Sequence, residues 1–393
     1  MKRILFTLVL GLAVLGSLQA QELTNFAFWG NQKPIVSPEI QNDSVTFRLK
    51  ADYATIVKLS GSWMENPWTG TIDMQRGENN VWSVKIPLPA PEIYTYNFVV
   101  DGVAVNDPQN VLVQRDGTRY LPMLLVPGER TENYGEANQH GTVSHPWYHS
   151  NILGMDRRLT VYTPYGYENN PKKKYPVLYL LHGAGGDEEA WISMGRTAQI
   201  LDNLIEKGLA EPMIVVMPNG NANQAAARTL NIPEKPMAFN RWDREAFEKM
   251  SDAEKDLVMN GYVRSLCTEI VPFIEKNFRA IAKPASRAIA GLSMGGGHTI
   301  SASILYPEMF DYICPLSAAG SATPEQIAAL KKAGVKLYFL ACGNTDFLFQ
   351  GAEEMHAKLN EQGLKHEYFV SDGGHVWANW RLYLNTFAQK LFK

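Results

Sequence analysis

Cysteine is scarce in this chain. The 393 residues include three, Cys267, Cys314 and Cys342, far apart and without paired spacing, so neither a disulfide framework nor a structural zinc site is expected. An excess of charge of one sign is also missing. Lys and Arg number 37 against 40 Asp and Glu, a formal net charge of −3, which supplies no basic field for nucleic acid or anionic lipid. Internal repeats and low-complexity tracts are absent as well. What is present suits a globular protein of two or three domains: 45% hydrophobic and 20% charged residues, with 11% aromatics. That aromatic share serves sugar or aryl recognition, or a β-rich core.

Lys2 and Arg3 precede an apolar run from Ile4 to Leu15, followed by Gly16, Ser17 and Ala20. A charged start, a short apolar run and a small-residue exit predict a secretory signal peptide over residues 1–20, cleaved near Ala20. Gln19, Gln21 and Glu22 cut the run short of the ~20 apolar residues that a membrane anchor needs. A periplasmic or secreted protein, off the membrane once the signal is removed, is expected.

Two domains with different periodicities follow. From residue 25 to 125 the chain reads as short strands and turns: Val45, Phe47 and Leu49 alternate with polar residues, as do Tyr94, Tyr96, Phe98 and Val100, with a hairpin signal at Asp101-Gly102. This predicts an antiparallel, immunoglobulin-like β-sandwich. Residues 126–140 are polar and aperiodic and read as a linker. From 141 to 393, apolar strands at 159–162, 177–181, 214–217, 288–290 and 337–340 alternate with helical stretches at 197–207, 252–278, 297–306, 324–333, 352–362 and 380–392. That alternation predicts an α/β fold with a mostly parallel sheet covered by helices.

The pattern Leu59-Ser-Gly-Ser-Trp63, Val81-Trp-Ser-Val84, Tyr94-Thr-Tyr-Asn-Phe98 and Val100-Asp-Gly102 resembles the early-set modules classed with family 48 carbohydrate-binding modules. Trp63, Trp68 and Trp82 could form a sugar-stacking platform or pack the sandwich; packing is the reading favoured.

The chemistry centres on Gly291-Leu-Ser-Met-Gly295, a G-x-S-x-G pattern between a strand and a helix. A sharp strand-to-helix turn exposes the central hydroxyl at the sheet edge and aims helix amides at a developing oxyanion, which makes Ser293 the candidate nucleophile. Its base must follow in the order Ser, acid, His. His375 lies in the Gly-rich loop Ser371-Asp-Gly-Gly-His-Val-Trp377, after a strand at 366–370. His366 sits at the opposite end of that strand, and His298 is on the elbow helix. The acid is Asp346, just past the strand at 337–340, in preference to Asp372, which reads as a turn residue. The oxyanion amides are assigned to Met294 and Ala184, with Gly183 or Gly185 as alternatives to Ala184. Their glycine-rich loop, His182-Gly-Ala-Gly-Gly-Asp187, lacks the lysine of a phosphate-binding loop.

His182-Gly-Ala-Gly-Gly-Asp-Glu188 with Trp191, Met217-Pro-Asn-Gly-Asn221, Gly291-Leu-Ser-Met-Gly-Gly296, Asp346 and Gly373-Gly-His-Val-Trp377 resemble carbohydrate esterase family 1, from about residue 143 to 392. That group holds feruloyl and acetyl xylan esterases of the esterase D-like α/β-hydrolase fold. The resemblance implies a cofactor-free and metal-free Ser-His-Asp esterase acting on feruloylated plant cell-wall polysaccharide or oligosaccharide. Trp191, Phe347 and Trp377 stand near the catalytic loops as candidate substrate contacts. Acetyl xylan, a siderophore trilactone, and glycan binding without catalysis are the alternative readings.

Overall fold

Period-two alternation is realised directly in β2 (Ser44–Lys50), whose Val45, Phe47 and Leu49 are buried while the residues between them face outward. The computed structural model describes residues 35–66, 69–227 and 247–393, so the expected signal peptide and Trp68 lie outside the described residues. One antiparallel sheet joins β1 (Glu39–Gln41), β2, β6 (Val81–Pro87) and β5 (Gln75–Arg76) in the order β1-β2-β6-β5. The other runs β4 (Ile72–Asp73), β3 (Val57–Gly61), β7 (Ile93–Val100), β10 (Arg119–Leu125), β9 (Val113–Asp116), with β8 (Val103–Val105) hairpinned onto β7. That hairpin turns at Asp101 and Gly102, with φ of 48° and 88°, the mirror-image turn that the right-handed strand twist prefers. Phe47, Leu59, Trp82 and Phe98 fill the space between the sheets. Trp63 stacks on Phe47 at 5.5 Å between ring centroids. Trp63 and Trp82 therefore pack the sandwich rather than offer a stacking platform.

The second domain is built on a sheet of order β11-β13-β15-β14-β16-β17-β18-β19, with β12 beside β13. Its strands are β11 (Thr142–Ser144), β12 (Trp147–Ser150), β13 (Met155–Thr163), β14 (Val177–Leu181), β15 (Ile214–Pro218), β16 (Arg287–Leu292), β17 (Tyr312–Leu316), β18 (Leu337–Gly343) and β19 (Glu367–Ser371). Pairing is parallel from β15 through β14 to β19 and antiparallel around β13. The helices are α1 (Ala190–Ser193), α2 (Thr197–Glu206), α3 (Asp252–Ser265), α4 (Val271–Asn277), α5 (Met294–Leu305), α6 (Pro324–Ala333), α7 (Phe349–Glu361) and α8 (Trp377–Phe387). A π-turn over Leu266–Ile270 joins α3 to α4, so the single helix expected at 252–278 is interrupted. Residues 126–140 are irregular, as expected of a linker, but they are packed. Tyr134 is fully buried, and Asn203 Nδ2 donates to the Gly135 carbonyl at 2.9 Å. No helix among the described residues is long and apolar enough to cross a membrane.

The two domains meet through the outer face of the sandwich's larger sheet. On β7 that face carries Ile93, Thr95, Asn97 and Val99. Ile93, with Met123 of β10, is buried in the same apolar cluster as Trp191 and Leu180 of the second domain. Two buried ion pairs flank this seam. Arg115 on β9 binds Asp187 with both Nη atoms and Glu189 through Nε at 3.1 Å. Glu92, just before β7, accepts from Arg381 of α8 at 2.9 Å and from Arg130 at 2.7 Å. Buried charges of this kind persist only when paired and hydrogen-bonded, so each pair locks the domain arrangement it needs.

Candidate active site

Ser293 sits where β16 turns into α5, with φ 52° and ψ −115°, a conformation that costs a non-glycine residue strain energy. Its amide donates to the Leu316 carbonyl at 2.9 Å, which ties the turn to β17. The flanking glycines are sterically required. A Cβ on Gly291 would lie 2.4 Å from the Gly295 carbonyl oxygen, and one on Gly295 would lie 2.5 Å from the Leu181 carbonyl oxygen. Helix α5 begins at Met294, directly after the serine. The Met294 amide is therefore among the first-turn donors without an intrahelical acceptor.

His375 and Asp346 arrive from the two neighbouring loops at the carboxyl end of the sheet. His375 Nδ1 lies 3.0 and 2.9 Å from the two Asp346 carboxylate oxygens, and the Asp346 side chain is fully buried. The carboxylate also accepts the Leu348 amide at 2.9 Å, which fixes its orientation. With its Nδ1 proton held there, His375 keeps the Nε2 lone pair free to act as a base. The two loops are laced together: Thr345 N donates to Gly373 O at 3.1 Å, and Gly373 N to Asn344 Oδ1 at 3.1 Å. Asp372 accepts from Asn344 Nδ2 at 2.9 Å, so it braces the turn while Asp346 holds the imidazole. His366 bonds His356 at 2.8 Å, and the His298 ring lies tilted against Tyr262, 4.7 Å between centroids.

Ser293 and His375 both line a cleft of about 910 Å³. Gly183, Ala184 and Gly185 line it too, and a Cβ on Gly183 would lie 3.3 Å from Ser293 Cβ. The loop that follows β14 is thus close enough to the nucleophile to supply an amide. Buried His182 anchors it, with Nδ1 at 2.7 Å from the Gly183 carbonyl and Nε2 accepting the Gly220 amide at 2.7 Å. Burial pushes the His182 pKa down and keeps the ring neutral, as this donor–acceptor pattern requires.

The aromatic residues divide. Trp377 lines the cleft. Phe347 is 75% exposed and its ring lies tilted against that of His375 at 4.5 Å between centroids. Trp191, expected at the pocket, is 1% exposed. Its indole donates to the Leu181 carbonyl at 2.9 Å, and Trp377 packs edge-on against it at 5.2 Å. Its size and burial in the domain core make it a support beneath the site, which corrects the substrate-contact expectation. Sequence reasoning missed His182, Arg115 and Arg381 as positioning groups. The histidine of the H-G-x-G loop was a usable signal for the first, and the Trp380-Arg381 pair just after the Gly-Gly-His loop for Arg381, while nothing local marks Arg115. Among the described residues no group of three or more His, Cys, Asp or Glu could hold a metal ion.

Comparison with known proteins finds esterases. Residues 150–328 match the Esterase family, described as "Putative esterase". An endo-1,4-beta-xylanase/feruloyl esterase of Xylanibacter ruminicola is 32% identical over 373 residues, covering 93% of this chain and 46% of that protein. The chain thus spans less than half the length of that relative. A solved ferulic acid esterase superposes with a TM-score of 0.50 at 28% identity, covering 65% of this chain and all of the other. The enterobactin esterase of Shigella flexneri reaches a TM-score of 0.60 at 17% identity, over 90% of this chain and 95% of that one, a likeness of fold.

Proposed function

We propose that the protein, whose residues 150–328 match the Esterase family, is an exported serine carboxylic-ester hydrolase that releases feruloyl groups from arabinoxylan. The observation that carries the reading is His375 Nδ1 held by both oxygens of buried Asp346, with the same ring and Ser293 facing one cleft.

In this reading Ser293 Oγ attacks the ester carbonyl as His375 Nε2 takes its proton. The tetrahedral oxyanion accepts from the Met294 amide and from the Ala184 or Gly183 amide. Collapse expels the sugar alkoxide, which takes the proton from His375, and leaves a feruloyl-Ser293 ester. Water activated by the same imidazole then releases ferulate. Asp346 stays ionised throughout and stabilises the imidazolium.

The feruloyl assignment draws support from the activities for which the relatives are named and from the aromatic side chains at the cleft. An anionic iron–siderophore complex would favour a cationic wall. Among the described residues, the acidic and basic side chains lining the cleft besides His375 are Asp116 and Arg119, paired at 2.6 Å.

The test is an ester panel on purified protein and Ser293→Ala side by side. Ferulate release from arabinoxylan fragments, abolished in the variant, is expected. Release of acetate alone, or hydrolysis only of a siderophore trilactone, would replace the substrate assignment.

A further inference from the structure

Met217-Pro-Asn-Gly-Asn221 runs off the end of β15 and takes no part in the chemistry described above, yet it is tied to the loop that carries Ala184. Asn221 Nδ2 donates to the Gly186 carbonyl at 2.8 Å, and the Gly220 amide donates to His182 Nε2 at 2.7 Å. A Cβ on Gly220 would lie 3.2 Å from Met294 Cε and 3.5 Å from that imidazole nitrogen, so glycine keeps the approach open. Behind this segment lies Arg157 of β13, only 1% exposed. Its Nη2 donates to the Asn219 and Asn221 carbonyls, each at 2.7 Å. Its Nε and Nη1 have no hydrogen-bond partner, so among the described residues no carboxylate is bonded to this guanidinium. A buried cation bonded to carbonyls alone is costly to keep, and what it touches indicates its use.

Each hydrogen bond here shares a peptide or a ring with the next. The Asn219 carbonyl that accepts from Arg157 belongs to the same peptide as the Gly220 N–H. That N–H donates to His182 Nε2, so the ring's one proton sits on Nδ1, which donates to the Gly183 carbonyl at 2.7 Å. The Gly183 carbonyl in turn shares its peptide with the Ala184 N–H. This peptide is trans, so the N–H points the opposite way from the carbonyl. It leaves the buried ring for the side on which Ala184 lines the cleft. Every N–H after the guanidinium thus points along one path toward the nucleophile. Hydrogen bonds aligned in this way strengthen one another, by about 10–30% per bond.

We propose that Arg157 is a positioning residue for the oxyanion: a buried cation whose charge reaches the Ala184 amide through the Asn219–Gly220 peptide, the His182 ring and the Gly183–Ala184 peptide. The relay makes Ala184, in place of Gly183, the second donor beside Met294, and makes it a stronger donor than an isolated amide. This rests on the esterase reading of Ser293 and His375 and deepens it.

The test uses the whole chain and nitrophenyl acetate, with Arg157→Gln, Arg157→Lys and His182→Gln. Glutamine can still donate to a carbonyl but carries no charge, whereas lysine keeps the charge. Arg157→Gln is expected to lower kcat about tenfold at constant KM, and His182→Gln to cost about as much. Arg157→Lys should recover most of the loss. The two glutamine substitutions together should cost little more than either alone, because both cut one relay. Fluorine NMR of the hemiketal that an aryl trifluoromethyl ketone forms on Ser293 reads the oxyanion itself. Its acid dissociation constant should fall about tenfold in either glutamine variant, which a loss of packing at constant KM would not produce. Folded Arg157→Gln with native kcat and native hemiketal acidity overturns the relay and leaves the esterase reading intact, as does Arg157→Lys no better than Arg157→Gln. Where Arg157→Gln does not fold, His182→Gln with native kcat and acidity overturns it equally. Native protein that cleaves no aryl ester overturns the esterase reading, and the relay with it.

Discussion

Arg115 of the sandwich grips Asp187 of the loop that approaches the nucleophile, one guanidinium Nη atom on each carboxylate oxygen, with both side chains 6% exposed. The sandwich is thereby mechanically part of the active site. Removing one member of such a buried pair leaves the other charge unpaired, at a cost of about 3–5 kcal/mol. Arg115→Ala is expected to lower the free energy of unfolding by that amount and to lower kcat, since the loop loses its anchor. A double-mutant cycle with Asp187→Ala should return most of the loss as coupling, read by urea unfolding.

Replacing Asp346 with Asn presents the His375 Nδ1 with an amide that can donate, which favours the wrong tautomer. A fall in kcat of roughly four orders of magnitude is expected, with KM little changed. Steady-state kinetics on an aryl ester checks it, and a fall of tenfold or less would remove Asp346 from its role.

Strain at Ser293 has a measurable counterpart. Its φ of 52° suits glycine better than any side chain. Both Ser293→Ala and Ser293→Gly should be inactive. The glycine protein should be the more stable by about 1 kcal/mol, the strain relieved less the glycine's unfolded-state entropy. Thermal unfolding of the two variants is the measurement.

His182 gives a pH signature. Its folded pKa lies below the ordinary value near 6.5 because burial disfavours the imidazolium. The unfolded chain therefore binds the proton first as pH falls. Stability from this group is complete above about pH 6.5 and declines as pH drops from there toward the folded pKa. Urea midpoints between pH 8 and 5 should fall, and His182→Gln should flatten that part of the curve. An unchanged slope in the variant would dismiss the assignment.

Trp191→Ala separates support from contact. A fully buried indole that donates to the backbone predicts a loss of about 3–5 kcal/mol on truncation, with KM moving less than stability does. A large KM rise in a protein of native stability would return Trp191 to the pocket wall.

Much of the catalytic centre was legible because it is local. The elbow announces itself through glycines that steric contact demands at Gly291 and Gly295, and the Gly373-Gly374-His375 loop carries its function in five residues. What escaped is non-local or disguised. Strand β17 was not expected because Pro315 interrupts its apolar run, although the strand is buried on both faces and pairs with β16 and β18. Trp191 looked like a pocket residue because proximity in sequence to a catalytic loop says nothing about which side of the loop a ring occupies. That sandwich residues such as Asn97 line the cleft was invisible because it depends on the domain that faces them. The packing of residues 126–140 was hidden for a like reason: their polar groups meet partly buried partners such as Asn203.

The Glu92–Arg381 and Arg115–Asp187 pairs each draw their two signs from opposite domains. Neither half can be exchanged for a foreign one by recombination without stranding an ion in a dry seam. Descendants of this protein should inherit both halves as one unit, and chimaeras that splice between residues 126 and 140 should fail unless the matching charges travel with the graft.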